Sequence, residues 1–375
     1  MNKIKVLQFI APSGFYGAEM WVLALAKHLD RERVDCSLAV TSESADQSME
    51  LYKRFCALKL PAYKIPMSGR FDIRAVFRLR NLIKKEGFSV LHTHGYKSDI
   101  LGLMASRLAG IKIVSTPHGF ENAPDLKLKL FIKMGCYALK KVDKVAPLSD
   151  ELFRDVQQLG ISNKKIQLII NGVDLDEIEI ERDKENPLVS TDKGEKIIGY
   201  IGQVAHRKNL GDMINAFDIL YRKNKNVRLQ IIGDGAKRKE LEGLAAKLDS
   251  ASKIEFLGYR KDRLKLLKEM DIFSMTSSLE GIPRCMMEAM GMGIPVAAFN
   301  IQGVDKLIIH EKTGLMAEFG NAEQLSKCWE QLLFDSQFAK MIAQNGRRHI
   351  LENFSAKRMA EEYTGLFQEL ISSKQ

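Results

Sequence analysis

No stretch of this sequence approaches the run of roughly 18 uninterrupted apolar residues that a membrane-spanning helix needs, so no bilayer crossing is expected. Cysteine is sparse: Cys36, Cys56, Cys136, Cys285 and Cys328 are scattered, odd in number and without a C-x-x-C pair. That spacing argues against a disulfide framework or a zinc ribbon and predicts reduced, structural thiols in a cytosolic protein. Proline is rare too. Nine prolines in 375 residues, with 45% apolar and 28% charged residues, exclude a disordered or collagen-like chain. The first residues imitate the basic end of a signal peptide, but Gln8 and Pro12 break the apolar run after Lys5 and no small-residue cleavage site follows. They read as a first buried strand.

What is present points to two domains, the natural division of a chain this long. The net charge of +10 is uneven: residues 1–170 hold 27 basic against 16 acidic residues, and residues 171–375 hold 30 against 31. A basic half suits an anionic membrane surface or nucleic acid, or serves solubility alone. Aromatic residues are not interleaved with the basic ones and no RNP, KH or zinc-finger pattern occurs, so nucleic acid is set aside.

Apolar runs at Ile4–Ala11, Cys36–Thr41, Ser89–His92, Ile111–Thr116 and Lys144–Pro147 alternate with helix patterns at Ala18–Leu29, Ile73–Lys85, Ser98–Leu108 and Asp125–Lys140. Residues 174–196 are acidic, contain Pro187 and show no clean period. A second series follows, with strands at Ile197–Val204, Val227–Ile232, Ile254–Leu257, Asp271–Thr276 and Pro295–Phe299. Its helices fall at Asn209–Tyr221, Lys237–Leu248, Arg263–Glu269 and Pro283–Met292. Alternation at this spacing predicts an α/β chain of two Rossmann-like, doubly wound parallel sheets. The expected domains are 1–172 and 173–355, with a last helix in 356–375 that returns to the first domain to bury Tyr363, Leu366 and Leu370. Ligands of such sheets sit beyond the carboxyl ends of the strands, and two facing sheets would put them in a cleft.

Those ends carry the candidate chemistry. After the first strand, Gly14 and Gly17 in PSGFYGAE allow close backbone approach, and a helix start offers amides to an anion. His92-Thr-His94 and Thr116-Pro-His118-Gly119 close two further strands; no carboxylate or cysteine at ligand spacing suggests a metal there. In the second half, Arg207 and Lys208 read as the start of a helix, where cations oppose the dipole unless a phosphate intervenes. Glu280 falls in a loop after a strand, Pro283 suits a first helical turn, and Glu288 lies about two turns inside an apolar helix. A carboxylate there needs a partner, and a ribose diol or a cation would serve. Asp174-Leu-Asp176 is a D-x-D by letters only.

Glu280-x7-Glu288 within EGIPRCMMEAM resembles the E-x7-E motif of retaining glycosyltransferase family 4, of GT-B fold. FYGAE, the H-x-H ending at His94, TPHG, NGVD at 171–174, IIGDG at 231–235 and EFLGY at 255–259 resemble further family segments in the same order. The resemblance implies transfer of a hexose-type sugar from a UDP- or GDP-sugar to an acceptor hydroxyl, with retention and with neither metal nor cofactor. It implies bacterial surface polysaccharide or glycolipid assembly, with a cytoplasmic enzyme peripheral on the inner membrane face. Glu280 would hold sugar hydroxyls, Glu288 the nucleotide ribose, Lys208 the diphosphate, and His118 would sit beside the transferring sugar. Gly17, Arg207, Gly281, Pro283, Arg284 and Cys285 would line the donor side, and Tyr16 and His94 the acceptor side. One departure stands out: Gln203 replaces the family's usual arginine, so either Arg207 substitutes for it or Lys208 and main-chain donors hold the diphosphate. Two alternatives share the fold: a non-transferring nucleotide-sugar 2-epimerase, and an inactive nucleotide-sugar-binding protein.

Overall fold

Short apolar segments with β-branched residues build two parallel sheets in the computed structural model, which describes residues 3–12, 14–44, 47–69, 72–120, 126–184 and 194–372. The chain divides into two units, residues 1–172 with 356–375, and residues 173–355.

In the first unit the strands are β1 (Ile4–Ile10), β2 (Val34–Ser42), β3 (Ala62–Pro66), β4 (Val90–His94), β5 (Lys112–Ser115) and β6 (Lys144–Val145). They are ordered β3-β2-β1-β4-β5-β6, all parallel. The connecting helices are α1 (Gly17–His28), α2 (Glu50–Ala57), α3 (Arg74–Glu86), α4 (Tyr96–Ala109), α5 (Leu126–Lys141) and α6 (Asp150–Gln158). Burial of both sheet faces explains why the strands read as apolar runs. The order reverses between β1 and β4, the crevice where doubly wound sheets bind ligands.

The second unit opens with α7 (Leu175–Asp183) and then β7 (Lys196–Ile201), α8 (Leu210–Lys223), β8 (Val227–Ile232), α9 (Arg238–Ala245), β9 (Ile254–Gly258), α10 (Arg263–Lys268) and β10 (Ile272–Met275). It continues through α11 (Arg284–Met292), β11 (Val296–Phe299), β12 (Leu315–Ala317), α12 (Ala322–Phe334) and α13 (Ser336–Asn353). Its strand order is β12-β11-β10-β7-β8-β9. Helix α7 corrects the reading of 174–196 as patternless: Asp174 caps it, its side chain accepting from the Glu177 amide. Pro187 lies outside the described residues.

Helix α14 (Ala356–Ser372) belongs to the first unit. Tyr363, Leu366, Phe367 and Leu370 are buried in one cluster with Trp21, Leu25 and Val40. Among the described residues, no helix is long and apolar enough to cross a membrane.

Candidate active site

In the second unit the carboxyl ends of the adjacent strands β7 and β10 lead into two loops that are stitched together. The Ser278 amide donates to the Arg207 carbonyl at 2.8 Å, Thr276 Oγ1 to the Lys208 carbonyl at 3.1 Å, and Arg207 Nη1 to the Leu279 carbonyl at 3.3 Å. This seam brings Lys208 Nζ into an ion pair with Glu280 Oε1, both side chains buried, while Arg207 Nη1 lies 3.6 Å from Glu280 Oε2. Arg207 and Lys208 do not start a helix as the sequence suggested. They occupy a separate 3-10 turn, His206–Lys208, and Asn209 with φ 49° precedes α8. The left-handed residue breaks the helix and turns Lys208 inward.

Close backbone contacts fix the surrounding loops. Gly303 has φ +91°, and a Cβ there would stand 1.8 Å from the Gly281 carbonyl oxygen and 2.3 Å from that of Glu280. Only glycine fits beneath the loop that carries Glu280. Gly233, in the IIGDG segment, has φ +140° and would place a Cβ 1.8 Å from the Gly202 carbonyl oxygen. At position 203 the main chain, not the side chain, is tied down: the Tyr200 hydroxyl donates to the Gln203 carbonyl at 3.0 Å.

Pro283 precedes α11, and the Met286 and Met287 amides donate to its carbonyl at 3.2 Å. The Met286 amide is therefore not open to a ligand. Arg284 and Cys285 take no backbone acceptor among the described residues, as the first turn of a helix requires. The Cys285 thiol is pushed up to about 12 by burial, opposed by Lys208. It is a neutral wall rather than a nucleophile.

Glu288 has the cations that its apolar helix demanded. Arg263 Nη2 donates to Oε1 at 2.9 Å, Arg263 Nε to Oε2 at 3.2 Å, and Arg284 Nε to Oε1 at 2.8 Å. Burial alone would raise this carboxyl, but Arg284 and Arg263 outweigh it and hold it below its ordinary value. Burial likewise works against the Arg263 charge, and Glu288 overcomes it and raises that guanidinium. Arg263 escaped sequence reading, since nothing in the spacing selects one arginine 25 residues upstream.

In the first unit the histidines gather at the ends of β4 and β5. His94 Nδ1 lies 3.3 Å from His118 Nε2, and His94 Nε2 lies 2.9 Å from Gln8 Oε1. His92 Nε2 is 2.8 Å from Thr116 Oγ1, which is 2.7 Å from the Tyr363 hydroxyl. The Trp21 ring centroid stands 5.2 Å from that of His118 and 5.4 Å from that of His94. Both ring nitrogens of His94 are thus engaged inside the protein. Burial lowers His92 and His94 well below the ordinary value and His118 to about 4, so all three rings are neutral near pH 7. Asp99, which accepts from Thr93 Oγ1 at 2.5 Å and Ser115 Oγ at 2.7 Å, is pushed up by burial to about 7.

Tyr16 is exposed and forms the N-cap of α1, its amide donating to Glu19 Oε2 at 3.0 Å. A Cβ at Gly17 would meet nothing within 4 Å, so the first turn of α1 is open to an incoming group, whereas Gly14 lies against the Tyr16 ring.

Residues 15–177 match the family model described as Glycosyltransferase Family 4, and residues 181–349 the one described as Glycosyl transferases group 1. The chain belongs to glycosyltransferase family 4, with the GT-B fold. Along 100% of the chain and 99% of the relative, the transferase is 25% identical to a UDP-Gal:alpha-D-GlcNAc-diphosphoundecaprenol alpha-1,3-galactosyltransferase of Escherichia coli. It is 20% identical to the capsular polysaccharide biosynthesis glycosyltransferase CapM of Staphylococcus aureus, over 84% of the chain and 86% of that relative. Among solved structures, Anabaena HepE in complex with UDP superposes with a TM-score of 0.81 at 18% identity, over 98% of this chain and 100% of that one.

Proposed function

We propose that the transferase moves a hexose-type sugar from a UDP- or GDP-sugar to an acceptor hydroxyl with retained anomeric configuration and without a metal, in bacterial polysaccharide or glycolipid assembly. The observation that carries this reading is the buried Lys208–Glu280 pair beside the open amides of Arg284 and Cys285, at the carboxyl edge of the second sheet. A diphosphate arriving there competes with Glu280 for Lys208. The cation moves to phosphate oxygen and Glu280 is released to accept from sugar hydroxyls. Breaking the sugar–phosphate bond builds negative charge on the diphosphate, and the fixed cations Lys208 and Arg207, with the amides, stabilise it more than the ground state. Arg207 takes the place of the family arginine absent at Gln203. The leaving phosphate oxygen accepts the proton of the attacking hydroxyl on the same face of the sugar. Glu288, clamped by Arg263 and Arg284, accepts from the ribose hydroxyls. HepE with UDP and the galactosyltransferase named for UDP-Gal favour a uridine nucleotide. A thermal-shift series with nucleoside diphosphates and their sugars tests this, because a ligand stabilises by RT ln(1 + [L]/Kd). UDP or GDP should raise the midpoint, and no shift with any nucleotide or nucleotide sugar would contradict the proposal.

The acceptor side suits an anionic membrane surface on the cytoplasmic face. Leu126, Leu130, Met134 and Tyr137 are exposed at helical spacing on α5, and Met104 and Leu108 are exposed on its neighbour α4. Lys127, Lys129, Lys133, Lys140 and Lys141 flank that stripe, all exposed. Apolar residues that enter the headgroup layer between lysines give both the burial and the charge attraction. Co-sedimentation with phosphatidylglycerol vesicles should fall sharply in Leu130→Asp/Tyr137→Asp. Binding independent of anionic lipid would contradict docking.

A further inference from the structure

Gln8 interrupts an otherwise apolar central strand. It is fully buried in β1, between Leu38 of β2 and His92 of β4 in the sheet register. A buried amide needs partners. Its oxygen has one, His94 Nε2 at 2.9 Å, while its nitrogen closes no regular hydrogen bond among the described residues and interacts with the buried Cys36 thiol.

That single contact dictates protons two residues further on. An amide oxygen only accepts, so His94 carries its proton on Nε2, and in the neutral ring Nδ1 is bare. A bare Nδ1 can only accept, so His118, 3.3 Å away, must donate from its own Nε2. His118 is neutral as well, which leaves Nδ1 as a lone-pair acceptor with no partner among the described residues. The ring is only half-buried. Trp21 stands against it and holds its plane.

We propose that Gln8 is a positioning residue for sugar transfer: through His94 it fixes His118 in the tautomer protonated at Nε2, and so presents Nδ1 as an acceptor to a donating hydroxyl of the sugar substrate. The second half rests on the reading of the chain as a transferase with His118 beside the sugar; the tautomer does not. The opposite amide orientation would give the opposite chain, with His94 donating from Nδ1 and His118 left with a donor at its own Nδ1. Such a ring would select a hydroxyl that accepts.

Long-range proton–nitrogen correlation spectra of the full chain labelled with 15N-histidine separate these cases at pH 7.5. The His118 signal, assigned by its loss in His118→Gln, should show protonation at Nε2. Gln8→Met, apolar and of similar length, should convert it to a mixture, and Gln8→Glu, which keeps an acceptor oxygen, should restore it. With the preferred donor, Gln8→Met should lower kcat about tenfold while donor KM stays within about twofold, and Gln8→Glu should recover most of the loss. If Gln8→Met does not fold, judged by circular dichroism, His94→Gln breaks the next link and should give the same mixed tautomer. Protonation of wild-type His118 at Nδ1 would overturn the proposal, as would an unchanged tautomer in the folded variants. A shifted tautomer with unchanged kcat would overturn the positioning role. A correct tautomer in a protein that transfers no sugar would defeat the transferase reading and leave the relay intact.

Discussion

Lys208 and Glu280, 72 residues apart in sequence, form a buried ion pair because the loops after β7 and β10 are hydrogen-bonded to each other. Breaking such a pair leaves one charge desolvated, a cost of about 3–5 kcal/mol. Lys208→Ala should therefore lower the thermal midpoint as well as raise donor KM and reduce kcat. Glu280→Gln should reduce kcat by on the order of 10²-fold, roughly 3 kcal/mol. It should also tighten free UDP or GDP, since it releases Lys208 for phosphate. Calorimetric titration checks this: nucleotide binding destroyed in Glu280→Gln would reverse the role assigned to that carboxylate.

Glu288 is held by two guanidiniums, and removing either side should destabilise the second unit. Its carboxyl lies below its ordinary value in the folded protein. The stability it contributes is present above the unfolded carboxylate value of about 4.3 and disappears as pH falls through the lower folded value. Midpoints of wild type and Glu288→Gln should differ most at pH 6–7 and converge toward pH 3. Arg263→Gln should reproduce the loss at neutral pH. A gap independent of pH would mean that the pair is not what stabilises the helix.

The backbone of Gly303 lies under the Glu280–Gly281 carbonyls. Gly303→Ala must shift that loop or adopt a strained φ. It should cost stability of about 1–3 kcal/mol and lower kcat. Gly17→Ala, with open space around its Cβ, should leave the midpoint within about 0.5 kcal/mol in free-energy terms. Equal midpoints for the two variants would show that the close approach does not constrain the loop.

Asp99 titrates the other way from Glu288. Burial raises it to about 7, so its proton is bound more tightly folded than unfolded, and stability declines as pH rises from about 4 to 7. Asp99→Asn, which mimics the protonated form, should gain midpoint relative to wild type at pH 8 compared with pH 5. A difference that stays constant across that range would place the carboxyl in an ordinary state.

Much of this was legible in the sequence where one physical demand dominated. Doubly buried strands such as Val227–Ile232 announced themselves as apolar runs between turns. The edge strands β3 and β12 did not, because the first is half-exposed and the second spans only three residues. Helices α12 and α13 and the acidic α7 also went unread. In the candidate site, Glu280, Lys208 and His118 could be singled out because each follows the end of a strand. Their partners could not, since the Lys208–Glu280 contact depends on which strands are neighbours and Arg263 meets Glu288 only through tertiary packing. Gln8 was visible as a break in an apolar run, but its meaning needed the position of His94.

The most direct measurement follows nucleotide release from UDP- and GDP-hexoses with and without saccharide and lipid-linked acceptors, and determines the anomeric configuration of the product by NMR. Nucleotide should be released only when an acceptor is present, without added metal, and the product should keep the donor's anomeric configuration. Release that needs no acceptor and yields an epimerised free sugar, or an inverted product, would contradict retaining transfer.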